Sequence, residues 1–119
     1  MAYALDRSRD AIFVERLHAK TLARGLAWSR TEHDGRYAVR LGDYVVEIGE
    51  GAATAYGPEI LLCGPDGRAL ELITPEMLDG PDPRAAEARR EAFEETYEAA
   101  RRMALGVDAA IDSLITVLR

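Results

Sequence analysis

Apolar positions change their spacing along the chain, and each change predicts a new element. From Asp10 to Arg24, Ile12, Phe13, Leu17, Thr21 and Leu22 recur three or four residues apart, which gives a helix one apolar face. Ser8 or Asp6 is placed to cap its start. Gly25 is placed to take the left-handed conformation that closes it, with Leu26 following. From residue 27 the period shortens to two. Reading Asp34-Gly35 as a two-residue type I′ turn sets Arg30 opposite Val39 and Trp28 opposite Leu41. Reading Gly42-Asp43 as a second such turn, of type II′ or I′, sets Leu41 opposite Tyr44, Val39 opposite Val46 and Tyr37 opposite Ile48. Both turns put Trp28, Tyr37, Val39 and Leu41 on one face, and Ser29, Thr31, His33, Arg36 and Arg40 on the other. A one-residue slip at either turn would scatter these side chains, so their agreement supports a three-stranded meander.

The pattern continues past a loop at Gly49 to Gly57. Glu59 to Cys63 and Arg68 to Ile73 read as a hairpin around Gly64-Pro65-Asp66-Gly67, with Ile60, Leu62, Leu70 and Leu72 extending the apolar face. Pro75 and the run Asp79-Gly80-Pro81-Asp82-Pro83 break regular structure, which makes 74–83 a linker. Residues 84–105 are rich in Ala, Glu and Arg and predict a helix with a stripe of Phe93, Tyr97, Ala100 and Ala104. Its wet side offers Arg90–Glu94 and Glu98–Arg102 as ion pairs. Gly106 interrupts it. Asp108 can cap a last helix over 108–118 that carries Ile111, Leu114, Ile115 and Leu118. The expected architecture is one α+β domain spanning 1–119. An antiparallel β-meander of about five short strands (27–73) is covered on one face by the N-terminal helix and two C-terminal helices.

Composition narrows the function more than the fold. The chain has 119 residues and a net charge of −6. Nucleic-acid affinity comes mainly from neutralising phosphates, so an acidic chain without a basic stripe predicts no nucleic-acid partner. An acidic membrane surface would repel it too, and no apolar run approaches the length of a membrane span. Basic protein partners suit the charge better. Cys63 is the only cysteine, which excludes an intramolecular disulfide and a cysteine-rich zinc site. MAYALDRSRD has no basic flank followed by an apolar run, so a signal peptide is not expected and the expected location is the cytoplasm. Abundant alanine and arginine, with Lys20 the only lysine, suggest a bacterial source.

The reactive side chains assemble no catalytic, cofactor or metal constellation in the sequence. Trp28 and His33 fall on opposite sheet faces, and general-base work needs a positioned partner. His18 has Thr21 and Leu22 where a second metal ligand would stand. Glu91, Glu95 and Glu98 share a helix face but lack the Glu-x-x-His pair of helical dimetal sites. Cys63 has no evident histidine to activate it, no serine sits in a G-x-S-x-G frame, and Gly49 to Gly51 lacks the rest of a phosphate cradle. A partner surface is the better candidate. The second sheet face is expected to carry Ala38, Val45, Leu61, Cys63 and Ala69, interspersed with Arg40, Glu47 and Glu71.

The segment Thr21-x-x-x-Gly25-x-x-Trp28, the run Tyr37 to Val46, the Gly67 turn and the tail Ala104 to Asp108 resemble a group of small uncharacterised bacterial proteins. The resemblance implies an α+β domain and carries over no functional residues. The leading functional expectation is a non-catalytic interaction or assembly module, self-associating as a homodimer or bound to another protein. One competing reading is a binder of an effector segment, similar to the small acidic chaperones of secretion systems. Another is a small-ligand binder or enzyme with a pocket between the first helix and the sheet, around Trp28, Tyr44 and Arg30.

Overall fold

The computed structural model describes residues 7–51 and 57–119. The first helix, α1 (Ser8–Leu22), is followed by five strands: β1 (Ser29–Arg30), β2 (Arg36–Leu41), β3 (Tyr44–Glu50), β4 (Pro58–Cys63) and β5 (Ala69–Ile73). A short 3-10 turn (Pro75–Leu78) leads into α2 (Pro83–Leu105) and α3 (Val107–Val117). The strands form one antiparallel sheet in the order β1-β2-β3-β4-β5, a meander with a helix layer on one face. The expected cap at Asp6 and the middle of the expected loop, 52–56, lie outside the described residues. The rest of that loop is partly strand, because β3 runs on to Glu50.

Local chemistry explains most boundaries. α1 starts two residues earlier than expected and has no side-chain cap, so Ser8 lies inside the helix rather than before it. Its end is a Schellman closure shifted by one residue. Arg24 donates its N–H to the Thr21 carbonyl (3.0 Å) and Gly25 donates to the Lys20 carbonyl (2.9 Å). The left-handed position therefore falls on Arg24 (φ 60°), not on Gly25. At the start of α2, Asp82 accepts a hydrogen bond from the Arg84 N–H (3.0 Å) and Pro83 fills the first helical position. The expected 74–83 linker is better ordered than its composition suggests: Pro75 and Leu78 are buried, and Arg90 reaches Asp79 at 2.7 Å.

Register separates what local pattern fixes from what it does not. All three expected β2–β3 pairs are present, Leu41 with Tyr44, Val39 with Val46 and Tyr37 with Ile48. β1 pairs differently. Arg30 lies opposite Tyr37 rather than Val39, and the connection is a longer bend in which only Gly35 (φ 80°), and not Asp34, has positive φ. Thr31 Oγ1 holds that bend, donating to the Arg36 carbonyl at 2.9 Å. The offset is two residues, so face parity survives and Trp28 still points inward. The β4–β5 pair carries an irregularity at Leu62/Cys63 that reverses the parity of β5. Ile73 therefore joins the core opposite Ile60, Leu72 moves to the other face opposite Leu61, and Leu70 is exposed. The expectation that Leu70 and Leu72 extend the apolar face is corrected accordingly.

The core is one continuous cluster between the helix layer and the sheet. Phe93 of α2, Ile48 and Ile60 are fully enclosed, with Val14 and Leu17 of α1 and Trp28 around them. Two threonines are buried with their hydroxyls satisfied: Thr21 Oγ1 accepts from Trp28 Nε1 (3.1 Å), and Thr96 Oγ1 donates to the Ala92 carbonyl (2.6 Å). Tyr37 and Tyr97 stack at a tilt with ring centroids 5.8 Å apart.

The last helix does not join the expected layer. No residue of α3 is buried, and its main packing is against α2. Gly106, with φ 65°, is both the C-cap of α2 and the N-cap of α3, so one residue connects the two helices. Folding one helix back along another takes a loop of about 2–5 residues, so α3 cannot reverse onto α2 here. Asp108 does not cap the helix as expected. It binds Arg102 Nη2 at 2.5 Å and Arg24 Nη2 at 3.2 Å, which fixes the direction in which α3 leaves the body.

Candidate functional site

Two surfaces stand out: the open face of the sheet, and the apolar lane beside α1 together with α3. The open face is built from three cross-strand rows. Arg36, Gly49 and Glu59 make one. Ala38, Glu47, Leu61 and Leu72 make the next. Arg40, Val45, Cys63 and Ala69 make the third. Seven of the eight residues expected on this face are therefore brought together there, and Glu71 is not. The β5 irregularity turns Glu71 to the helix side, 3.7 Å from Arg7 at the start of α1, and gives its place to Leu72.

A charge cluster sits at one end of these rows. Arg36 lies 3.3 Å from Glu47 through Nε and 3.3 Å from Glu59 through Nη1. Reaching Glu59 takes the guanidinium across β3, and the crossing is possible because residue 49 is glycine. A Cβ there would stand 2.7 Å from Arg36 Cγ and 2.8 Å from the Gly35 carbonyl oxygen. Gly51 clears the other end, since a Cβ on it would fall 2.0 Å from the Glu59 carboxylate. Arg36 balances one of the two carboxylates, and Glu59 Oε2 is buried without a hydrogen-bond partner among the described residues. A shallow hollow of about 610 Å³ opens over the cluster, with Leu61, Leu72 and His33 on its walls. His33 lies beside Glu32 in the exposed bend (3.5 Å), on the opposite side of the sheet from the buried Trp28.

The remaining reactive groups fall elsewhere. Burial pushes the Cys63 thiol pKa up, the neighbouring Glu47 raises it further and Arg36 partly offsets both, so the thiolate is disfavoured. His18 Nε2 is engaged by Glu95 Oε1 at 3.0 Å, a link between α1 and α2. Glu98 is held by Arg101, whose hydrogen bond keeps that carboxyl below its ordinary range, while Arg102 is committed to Asp108 instead of Glu98. Among the described residues no three metal-ligating side chains cluster.

The second surface includes Ile12 and Phe13, which the sequence pattern assigns to the apolar face of the first helix; Ile12 is exposed and Phe13 only partly buried. On the flank of α1 beside its buried face, Arg9, Ile12, Phe13, Arg16 and Lys20 line a groove of about 530 Å³ that reaches buried Leu17 and whose far wall is Leu26 and Leu41. The groove continues over Phe13 and Leu41 to Tyr44 and Leu62. Of the three residues expected around a pocket between the first helix and the sheet, only Tyr44 borders this surface, in the adjoining hollow. Trp28 lies in the core, and Arg30 lines a separate hollow near Leu105. The available signal was a second stripe on helix α1: positions 9, 12, 13, 16 and 20 recur at helical spacing beside the buried one. The exposed side of α3 and its C-cap is the counterpart, with Leu114 58%, Ile115 60% and the C-cap Leu118 82% accessible.

Fold and surfaces together define an α+β protein, a five-stranded antiparallel meander with helices on one face. None of its described helices is long and apolar enough to cross a membrane. Comparison with protein-family models, with curated proteins and with solved structures finds no match to this chain.

Proposed function

We propose that the chain is a non-catalytic protein-interaction or assembly module that self-associates, acting as a homodimer in a bacterial cytoplasm. One observation carries this reading. α3 is an amphipathic helix whose apolar residues Ile111, Leu114 and Ile115 are exposed, as is Leu118 at its C-cap. A helix of 11 residues is too short to hold its shape in water by backbone bonds alone, so most of its stability has to come from a packed apolar face. Exposed contiguous apolar surface of this kind marks interaction sites in folded proteins. The open sheet face, half apolar around Arg36 and Glu47, offers a second surface for a further protein.

Light scattering coupled to size exclusion tests the reading. The expected mass is twice that of the 13.1 kDa chain. A single species at 13.1 kDa across the accessible concentration range would refute self-association. Small-ligand binding is the second reading, and the groove between α1 and Leu41 is the observation in its favour. A metabolite that raises the melting temperature, with the rise abolished by Ile12→Asp, would support it; a flat screen would count against it.

A further inference from the structure

Resting on the self-associating reading, we infer how the two copies meet: α3 of each seats in the groove beside α1 of the other. The groove and the helix are two unpartnered features of one chain, and they match in three respects. The first is length. The groove runs along α1 from Arg9 to Lys20, and α3 spans Val107–Val117, so at about 1.5 Å per residue both are close to 16 Å long. The second is surface. Ile111, Leu114, Ile115 and Leu118 lie at i, i+3, i+4 and i+7, the spacing with which an amphipathic helix fills a groove. The groove presents Ile12, Phe13, Leu26 and Leu41 to them.

The third is charge. All the charged groups lining the groove are basic, namely Arg9, Arg16 and Lys20, in a chain whose net charge is −6. The charged residues within α3 are Asp108 and Asp112, both acidic, with the basic Arg119 following Leu118 past the helix end. Asp108 is held by Arg24 and Arg102 of its own chain, which leaves Asp112 to face the basic rim. Opposite charge on two otherwise apolar surfaces fixes pairing and orientation more than it adds affinity.

The area is of the right size. Four aliphatic side chains at about 100 Å² each, matched by a similar area of groove, give about 800 Å² per chain, and a two-fold exchange doubles it to the standard interface of about 1,600 Å². The exchange is isologous and closes on itself, so it ends at a dimer. It also supplies the third helix that the sheet's apolar face lacks within one chain.

Full-length protein tests this. Leu114→Asp/Ile115→Asp alters side chains that are exposed within one chain, so the fold is retained, and circular dichroism checks that it is. The expected result is a dimer for the unaltered chain and a monomer for this variant. Arg16→Glu/Lys20→Glu should weaken the dimer at least tenfold, and Asp112→Lys added to it should restore part of the loss. Carbodiimide coupling should join Lys20, the only lysine, to Asp112 of a second chain, identified by peptide mapping of a mixture of heavy and light chains. A dimer unaffected by Leu114→Asp/Ile115→Asp overturns this mode of pairing while leaving self-association standing. A monomeric unaltered chain overturns both. A Lys20–Asp112 link found only within one chain shows α3 folding back on its own groove, which also overturns the exchange.

Discussion

Replacing Arg36 with methionine isolates the charge cluster on the open sheet face. Methionine keeps an unbranched stem of similar reach over Gly49, where the arginine Cγ lies, and removes only the guanidinium. The loss strands two carboxylates, of which Glu59 is the more enclosed, its side chain 10% accessible against 24% for Glu47. Among the described residues Glu59 Oε2 has no partner and Arg36 is the donor to Oε1, so within that set the substitution leaves the group without a donor. Removing one partner of a fully buried pair costs about 3–5 kcal/mol, and an exposed pair is worth about 0–1 kcal/mol. With Arg36 itself 18% accessible, water reaches part of the cluster, and a loss of about 2–3 kcal/mol follows. Glu59→Gln in the same background removes the stranded charge and should recover about 1 kcal/mol, a coupling that a double-mutant cycle reads directly. The assay is urea unfolding followed by the fluorescence of Trp28, the single tryptophan, which is buried and reports on the core. All variants are compared at one protein concentration, because association shifts apparent stability. An Arg36→Met midpoint within about 0.5 kcal/mol of the unaltered chain, at unchanged slope, would show that the cluster is solvated and contributes nothing structural.

Two further outcomes follow from the buried hydroxyls and from the α2–α3 junction. Thr21→Val keeps the shape of the side chain but leaves Trp28 Nε1 without its acceptor, so unfolding free energy should fall by about 1–3 kcal/mol with a changed tryptophan emission maximum; an unchanged midpoint would mean the indole has found another partner. The Asp108 carboxyl is held below its ordinary value of 3.8, first by the Arg102 hydrogen bond and then by the charges of Arg102 and Arg24. A depressed carboxylate stabilises the folded arrangement above its unfolded value and loses that contribution as pH falls below 3.8 through the folded one. Acidification should therefore loosen the first turn of α3, Asp108→Asn should loosen it at neutral pH, and the protection of amides over 107–111, relative to the intrinsic exchange rate at each pH, should fall in both cases. Equal protection in all conditions would show that the two arginines do not fix the helix.

Sequence alone determined the elements whose information is short-range. The alternation from Tyr37 to Ile48 and the Gly42 turn specify the β2–β3 register, because a one-residue slip would turn the whole apolar set to water. The stripe of Phe93 and Ala100 marks the buried side of α2, and the opposition of Trp28 and His33 follows from parity alone. Tertiary structure decided the rest, because each remaining feature depends on groups that meet only after the chain has folded. The irregularity at Leu62/Cys63 exchanges the faces of Glu71 and Leu72, and no local pattern announces it. Arg36 reaches Glu59 only because β3 places Gly49 between them. Leu114 and Ile115 read as core residues by spacing, yet whether an apolar helix face is buried depends on where its connection can carry it. A single glycine after Leu105, with Asp108 clamped by Arg24 and Arg102, carries this one away from its own sheet.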